Sequence, residues 1–287
     1  MKTVLVTGAN GQLGKCIQKI HKNYPEFSFY FKSSQQLDIT NQERVSHYFA
    51  KNNIDYCINC AAYTNVELAE TEQEKAYLVN AEAVKNLAII CKKSNTTLIH
   101  VSTDYVFDGT SIKPYTEEDT TNPISIYGAS KRQGEIYIEE HLTTYFILRT
   151  SWLYSEFGKN FYKTILQKAA EKANLTITTE QTGTPTNAND LADSILEILT
   201  KNHTEYGIYN FSNEGKATWY DFAREIISNM KLSEEKQPVL QEIASYKTKA
   251  ERPVYSVLNK TKIKRIKKDI PEWKASLKNL MLKHKIT

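Results

Sequence analysis

Cysteine is scarce in this 287-residue chain, with four residues, Cys16, Cys57, Cys60 and Cys91. They are too few and too scattered for a disulfide framework at this length. Cys57 and Cys60 keep a C-x-x-C spacing, but IDYCINCAAY reads as a buried strand, where an offset of three sends side chains to opposite faces roughly 10 Å apart. Both are therefore expected in core packing. The six histidines show no metal-ligand spacing such as H-E-x-x-H, so no structural metal is expected. No window approaches the roughly 18 apolar residues of a membrane span, which argues against a membrane partner. A secretory leader is missing too: MKTVLVTGANGQLG is interrupted by Gly8, Asn10, Gly11 and Gln12, and a cytoplasmic location is expected. Repeats, low-complexity tracts and flexible linkers are absent. The charge imbalance is modest, a net +4, and its densest stretch, KTKIKRIKKDI at 260–270, has no interleaved aromatics. That run reads as solvated surface rather than a nucleic-acid footprint, and the bias suits a small acidic substrate.

What is present is a regular alternation. A hydrophobic share of 40% and a charged share of 24% are those of an ordinary water-exposed chain, long enough for one large domain or two modest ones. KTVLVTG reads as a strand, followed by a helix from 12 to about 23; FSFYF is followed by a helix from 41 to about 52. IDYCINCAAY precedes a long helix through 79–92, TLIHVST precedes a helix carrying Tyr127 and Lys131, and YFILRTSWLY is a further strand. Nearly continuous apolar strands mean that both sheet faces are covered, which predicts a doubly wound parallel α/β sheet of Rossmann type. Thr40 with Glu43, and Thr218 with Asp221, have capping-box spacing. Later segments predict a helix over 160–173, a strand in LTITTE, a helix over 189–201 and a strand in GIYNFS, with helix and loop from Glu214 onward. The expected division is a dinucleotide-binding domain, 1–150 with about 174–212, interleaved with a smaller α/β substrate-binding domain, 151–173 and 213–287.

TGANGQLG, at 7–14, follows the first strand and opens the first helix. Gly8, Gly11 and Gly14 permit a tight turn, close backbone approach to a pyrophosphate and close helix packing, and the helix N-terminus favours negative charge. Asn10, Gln12 and Leu13 share this loop and should touch the dinucleotide. Cofactor choice is read at the end of the second strand, where an acid would bind a ribose 2′-hydroxyl. FYFKSS offers Lys32 and Ser33 and no acid, which favours NADPH. If Lys32 is simply exposed, NADH is accepted as well.

TLIHVST delivers Ser102, Thr103 and Asp104 to the strand edge where such sheets bind ligands. In YGASKRQGE, Tyr127 and Lys131 stand four apart on a helix, hence on one face. Alone, that spacing fits a half-buried tyrosine beside a snorkelling lysine. With the glycine loop upstream, it reads as a proton donor and its electrostatic partner, Thr103 sharing the substrate oxygen. A tyrosine of pKa about 10 is poorly matched to neutral pH, and a neighbouring ammonium together with the positive nicotinamide of an oxidised cofactor favours its phenolate.

The G-x-x-G-x-x-G spacing and the Thr103, Tyr127, Lys131 set resemble the extended short-chain dehydrogenase/reductase family. INCAAYTNVELAE at 58–70, VSTDYVFDG at 101–109, RTSWLYSEFGKNF at 149–161 and RPVYSVL at 252–258 extend the likeness over essentially the whole chain, more loosely after about Lys260. The resemblance implies that Asp38 and Ile39 lie near the adenine and that Ala61 and Ala62 line the dinucleotide path. Lys131 would hold the nicotinamide ribose. The dehydratases of the family have an Asp-Glu pair after the hydroxyl residue; here Tyr105 follows Asp104, which points to carbonyl reduction or epimerisation. What is implied is NADPH-dependent reduction of the C4 ketone of a dTDP-linked 4-dehydro-sugar of the rhamnose series, in the service of bacterial surface polysaccharide. Thr103, Asp104, Trp152 and Arg252 would meet the substrate, although Trp152 also fits a core role and Arg252 a surface ion pair. Some members use Mg²⁺ at a dimer interface, through a Glu two residues after the third loop glycine. Cys16 stands there, so a metal is doubtful and a homodimer is left open. Two rivals remain: reduction of another nucleotide-linked ketosugar, and a non-catalytic dinucleotide-binding regulatory subunit of the same fold.

Overall fold

Six short apolar runs pair edge to edge in parallel, and their side chains divide strictly by parity. The computed structural model describes residues 1–284 except 234, 236 and 246. In chain order the strands and helices begin β1 (Lys2–Thr7), α1 (Gln12–Ile20), β2 (Phe27–Lys32), α2 (Gln42–Lys51), β3 (Tyr56–Asn59), α3 (Val66–Ala69), α4 (Gln73–Tyr77) and α5 (Ala83–Lys93). They continue with β4 (Thr97–Thr103), α6 (Ile126–His141), β5 (Tyr145–Thr150), β6 (Leu153–Tyr154), α7 (Phe161–Ala170), β7 (Leu175–Thr178), β8 (Thr182–Gly183) and β9 (Thr186–Asn187). The last are α8 (Ala188–Thr200), β10 (Gly207–Asn210), β11 (Ala217–Thr218), α9 (Trp219–Asn229), β12 (Leu240–Ile243) and α10 (Trp273–Lys283).

The main sheet has the order β2-β1-β3-β4-β5-β10, all parallel, so its winding reverses between β1 and β3. Val4, Val6, Ile58, Ile99 and Leu148 pack on α1 and α8 through Leu13, Ile17, Leu191 and Ile195. Leu5, Cys57, Leu98 and Ile147 point the other way, to Val45, Phe49, Val84, Leu87 and Ile138 of α2, α5 and α6. This is the expected doubly wound sheet with both faces covered. Cys57 and Cys60 fall on opposite sides of it, as the strand period requires, and all four cysteines are free thiols.

A third apolar cluster joins Tyr154, Tyr162, Ile165, Phe222, Ile226, Trp273 and Leu277, from β6, α7, α9 and α10. Leu175 and Ile177 of β7 pack there as well. The segment after Glu214 is not only helix and loop: β12 pairs in parallel with β7, and β11 pairs antiparallel with β8. LQEI is too short and too polar to register as a strand by its own pattern.

Two local expectations are corrected. Asn41, not Thr40, caps α2, accepting from the Arg44 amide at 3.0 Å, because the Thr40 hydroxyl is already bound to Asp38 Oδ1 at 2.8 Å. The helix through 79–92 is interrupted by a π turn over Leu78–Glu82. There Asn80 is buried; its amide donates to the Tyr63 carbonyl and Ser130 Oγ and accepts from the Tyr63 N–H. Gly134 of α6 makes room for this turn, since a Cβ there would stand 2.2 Å from the Asn80 carbonyl oxygen. The Thr218–Asp221 capping box is formed.

Candidate active site

The turn after β1 lies at the point where the sheet winding reverses. Gly8 adopts φ +61°, and a Cβ on it would meet the Ala61 nitrogen at 2.5 Å, so glycine is required on both counts. Gly14 lets α1 approach the turn, with Ala9 Cα 2.7 Å from where its Cβ would be. Gly11 caps α1 without a side-chain hydrogen bond, and the helix opens onto the cleft with its first amides uncapped by side chains.

The cleft is a cavity of about 600 Å³. Asn10, Gly11, Gln12, Leu13 and Ala62 form one wall; Thr103, Asp104, Tyr127 and Lys131 form the floor; Trp152, Trp219 and Arg252 close the far side. Ser102 Oγ, Asp104 Oδ2 and Thr150 Oγ1 are buried here with no hydrogen-bond partner among the described residues. Buried polar atoms are rarely left so, and three around one cavity mark a place for a polar ligand. The bare helix N-terminus, the glycine turn and these atoms fit a dinucleotide and its substrate. Lys32, Ser33, Asp38 and Ile39 are not brought to the cavity wall: they lie along the end of β2 and the turn after it. Lys32 Nζ sits 5.3 Å from the centre of the Tyr48 ring, Ser33 Oγ donates to Gln36 Oε1, and Asp38 holds Thr40. Gln12 is a tie between the lobes: its amide donates to the Leu153 carbonyl at 3.2 Å and accepts from Asn160 at 2.7 Å.

Thr103 ends β4, and Ser125 starts α6 by accepting from the Gly128 amide at 3.2 Å, which presents Tyr127 in the first turn. The Tyr127 ring packs edge-on against Tyr105, centroids 5.6 Å apart. Burial pushes the Tyr127 phenol up to about 12; the nearby Thr103 hydroxyl opposes this and the Asp104 charge adds to it. Lys131 is buried too, and burial lowers it to about 8 against the pull of Glu135. Its Nζ donates to the Val101 carbonyl at 2.7 Å and lies 3.1 Å from His100 Nε2. Burial also pushes the Asp104 carboxyl up to about 6.

Trp152 has an unusual φ of +45° and stacks on Trp219 with centroids 3.7 Å apart and planes 8° apart. Gly183 accommodates it, since a Cβ there would fall 2.6 Å from the Trp152 ring. Of the two sequence readings of Arg252, the ion pair is formed: its guanidinium contacts the Glu67 carboxylate, while the residue still lines the cavity. Burial pushes the Cys16 thiol up to about 12, which disfavours the thiolate needed of a metal ligand. Among the described residues no three His, Cys, Asp or Glu side chains gather as a metal site. Sequence reasoning missed His100, Asn59 and Trp219. Only Trp219 carried a local signal, its position directly after the capping Thr218.

A parallel doubly wound sheet with a glycine turn at its reversal point, facing a cleft that holds a threonine, a tyrosine and a lysine, defines the extended short-chain dehydrogenase/reductase class. The chain belongs to the RmlD substrate binding domain family, whose model matches residues 1–286. It is 37% identical over 289 residues to a dTDP-4-dehydrorhamnose reductase of Aggregatibacter actinomycetemcomitans, covering 98% of each chain. It is 36% identical to a probable dTDP-4,6-dihydroxy-2-methyloxan-3-one 4-ketoreductase of Streptomyces antibioticus, over 88% of this chain and 85% of that one. Among solved structures, dTDP-4-dehydrorhamnose reductase from Bacillus anthracis, in complex with NADP, superposes with a TM-score of 0.91 at 35% identity, covering 99% of this chain and 100% of the other.

Proposed function

We propose that this chain reduces the C4 ketone of dTDP-4-dehydro-β-L-rhamnose to dTDP-L-rhamnose with NADPH, the last step of dTDP-rhamnose biosynthesis. The observation that carries the reading is that Thr103, Tyr127 and Lys131 line the same cleft as Asn10, Gly11, Gln12 and Leu13 of the glycine turn. The similarity to reductases of that name over almost the full length supports the choice of substrate.

NADPH, when bound, supplies the hydride that reaches C4. Tyr127 keeps its proton at neutral pH, because burial holds it near 12, and so enters the reaction as the donor to O4. Thr103 holds the same oxygen in line. Lys131 fixes the nicotinamide ribose, and the amides at the start of α1 receive the pyrophosphate. Asp104 accepts from a sugar hydroxyl, the stacked Trp152 and Trp219 provide a flat wall for the sugar nucleotide, and Arg252 reaches its diphosphate by exchanging Glu67 for phosphate oxygens. The lack of an acid at the end of β2, with Lys32 there instead, favours NADPH over NADH. The dinucleotide half is assigned to the main sheet and its flanking helices, α8 included, and the substrate half to the third apolar cluster of β6, α7, α9 and α10, β7 siding with the latter.

A second reading, reduction of a different dTDP-linked ketosugar, is favoured by the likeness to a 4-ketoreductase of another sugar. The test is to mix the purified protein with NADPH and dTDP-4-dehydro-L-rhamnose and follow loss of reduced-nicotinamide absorbance, with the product identified by NMR. Formation of dTDP-L-rhamnose is expected. Binding of NADPH without oxidation would overturn the reading and favour another ketosugar or a regulatory role.

A further inference from the structure

Behind the floor of the cleft, a line of buried polar side chains runs from Lys131 to β1. Lys131 Nζ is 3.1 Å from His100 Nε2, His100 Nδ1 is 3.1 Å from the Asn59 amide nitrogen, and the Asn59 amide oxygen accepts from Thr7 Oγ1 at 2.7 Å and from the Ala61 N–H at 3.2 Å. Thr7, Asn59, His100 and Lys131 are all at most 1% exposed, so no solvent relieves a mismatch along this line.

The direction of each hydrogen bond is fixed by one backbone group. The Ala61 N–H can only donate, so the Asn59 oxygen must face it and the Asn59 nitrogen must face His100. An amide nitrogen can only donate, so His100 Nδ1 must accept and carry no proton. Burial keeps the imidazole well below its ordinary value, hence neutral with a single N–H. That proton then sits on Nε2 and points at Lys131. An ammonium has no lone pair to receive it, whereas an amine has one, and an amine still keeps an N–H for the Val101 carbonyl.

We propose that Asn59 and His100 are positioning residues that set the proton occupancy of Lys131, favouring the amine in the free protein and holding its nitrogen at a fixed point beside the cleft. The other titratable groups around Lys131 are Tyr127 and Glu135 on its own helix, Asp104 and Tyr105 after β4, and Cys60 after β3. Glu135 favours the ammonium, but both its carboxylate oxygens are taken by Arg149. The alkaline limb of kcat/KM, which reports the free enzyme, is thus set by this line as well as by burial. Flipping the Asn59 amide would permit the ammonium only by leaving the Ala61 N–H facing another donor.

The kinetic part rests on the reductase reading above; the spectroscopic part does not. In full-length protein labelled with 15N-histidine, the His100 resonances, identified by their loss in His100→Phe, should report the Nε2–H tautomer at pH 9, above the Lys131 value of about 8. Asn59→Asp supplies an acceptor in place of the amide nitrogen, so it should switch His100 to Nδ1–H and raise the alkaline limb of NADPH-dependent reduction by about one pH unit. A purely structural role would lower the melting temperature and move neither readout. An Nδ1–H tautomer in the parent protein would overturn the proposal, as would an Asn59→Asp limb that coincides with the parent's. If the protein does not reduce the sugar at all, the reductase reading falls and the tautomer still decides this one.

Discussion

Arg149 is clamped onto Glu135, its Nε donating to one carboxylate oxygen at 3.0 Å and its Nη2 to the other at 2.8 Å, with neither residue more than 1% exposed. The pair ties the end of β5 to the middle of α6, one turn beyond Lys131, and the guanidinium also lies over the Phe107 ring. Removing one partner strands the other charge in the interior. Glu135→Leu should therefore cost about 3–5 kcal/mol in urea unfolding, and the double variant Glu135→Leu with Arg149→Met should recover most of it. Equal stability of the single and double variants would show that the stranded Arg149 charge is not the source of the cost.

Tyr127→Phe keeps the edge-on packing against Tyr105 and removes only the proton. Turnover should fall by about 10²–10⁴ while NADPH titrates as in the parent protein. Thr103→Val leaves the phenol in place, removes the second hydroxyl that would hold the substrate oxygen, and should cost about tenfold to a hundredfold in kcat. Loss of NADPH binding in either variant would assign the residue to the cofactor rather than to the reaction.

Asp104 gives a pH signature in stability. Its folded value, about 6, lies above the ordinary 3.8, so between these values the native protein binds more protons than the unfolded chain and stability falls as pH rises. Above pH 6 the full cost is present, on the order of 3 kcal/mol. Asp104→Asn should accordingly raise the melting temperature at pH 7 and leave it nearly unchanged at pH 4, while weakening the sugar nucleotide. A gain of equal size at both pH values would mean that the carboxylate charge is not the source.

Gly183→Ala forces a methyl against the Trp152 ring, which has Trp219 stacked upon it. Overpacking of this kind costs about 1–3 kcal/mol. The near-ultraviolet circular dichroism of the coupled indoles should weaken, and KM for the sugar nucleotide should rise more than KM for NADPH. An unaltered indole signal would show that the wall yields elsewhere.

The local features were legible in the sequence because their causes are local. Glycine spacing, the period of the apolar strands and the four-residue offset of Tyr127 and Lys131 each depend on a few neighbouring residues, and all three took the expected form. Thr40 and Asn41 are both good caps one position apart, and only the capture of the Thr40 hydroxyl by Asp38 decides between them. His100 in TLIHVST and Asn59 in YCIN read as ordinary strand residues; their partnership needs β3 and β4 side by side and α6 above them. Likewise Trp152 and Trp219 meet only after 66 intervening residues have folded. The upward push of burial on the Tyr127 phenol was not legible, because sequence reveals neighbours more readily than depth.

The π turn at Leu78–Glu82 also limits how this chain can change in length. A π turn holds one residue more than the α-helix around it, which amounts to a phase slip of about 100° along a helix of 3.6 residues per turn. Ala76 before the slip and Val84, Leu87, Ala88 and Cys91 after it are all buried. Excising a single residue from 78–82 would turn Asn80 and the helix after it by about 100°, and would part the Asn80 amide from Tyr63 and Ser130.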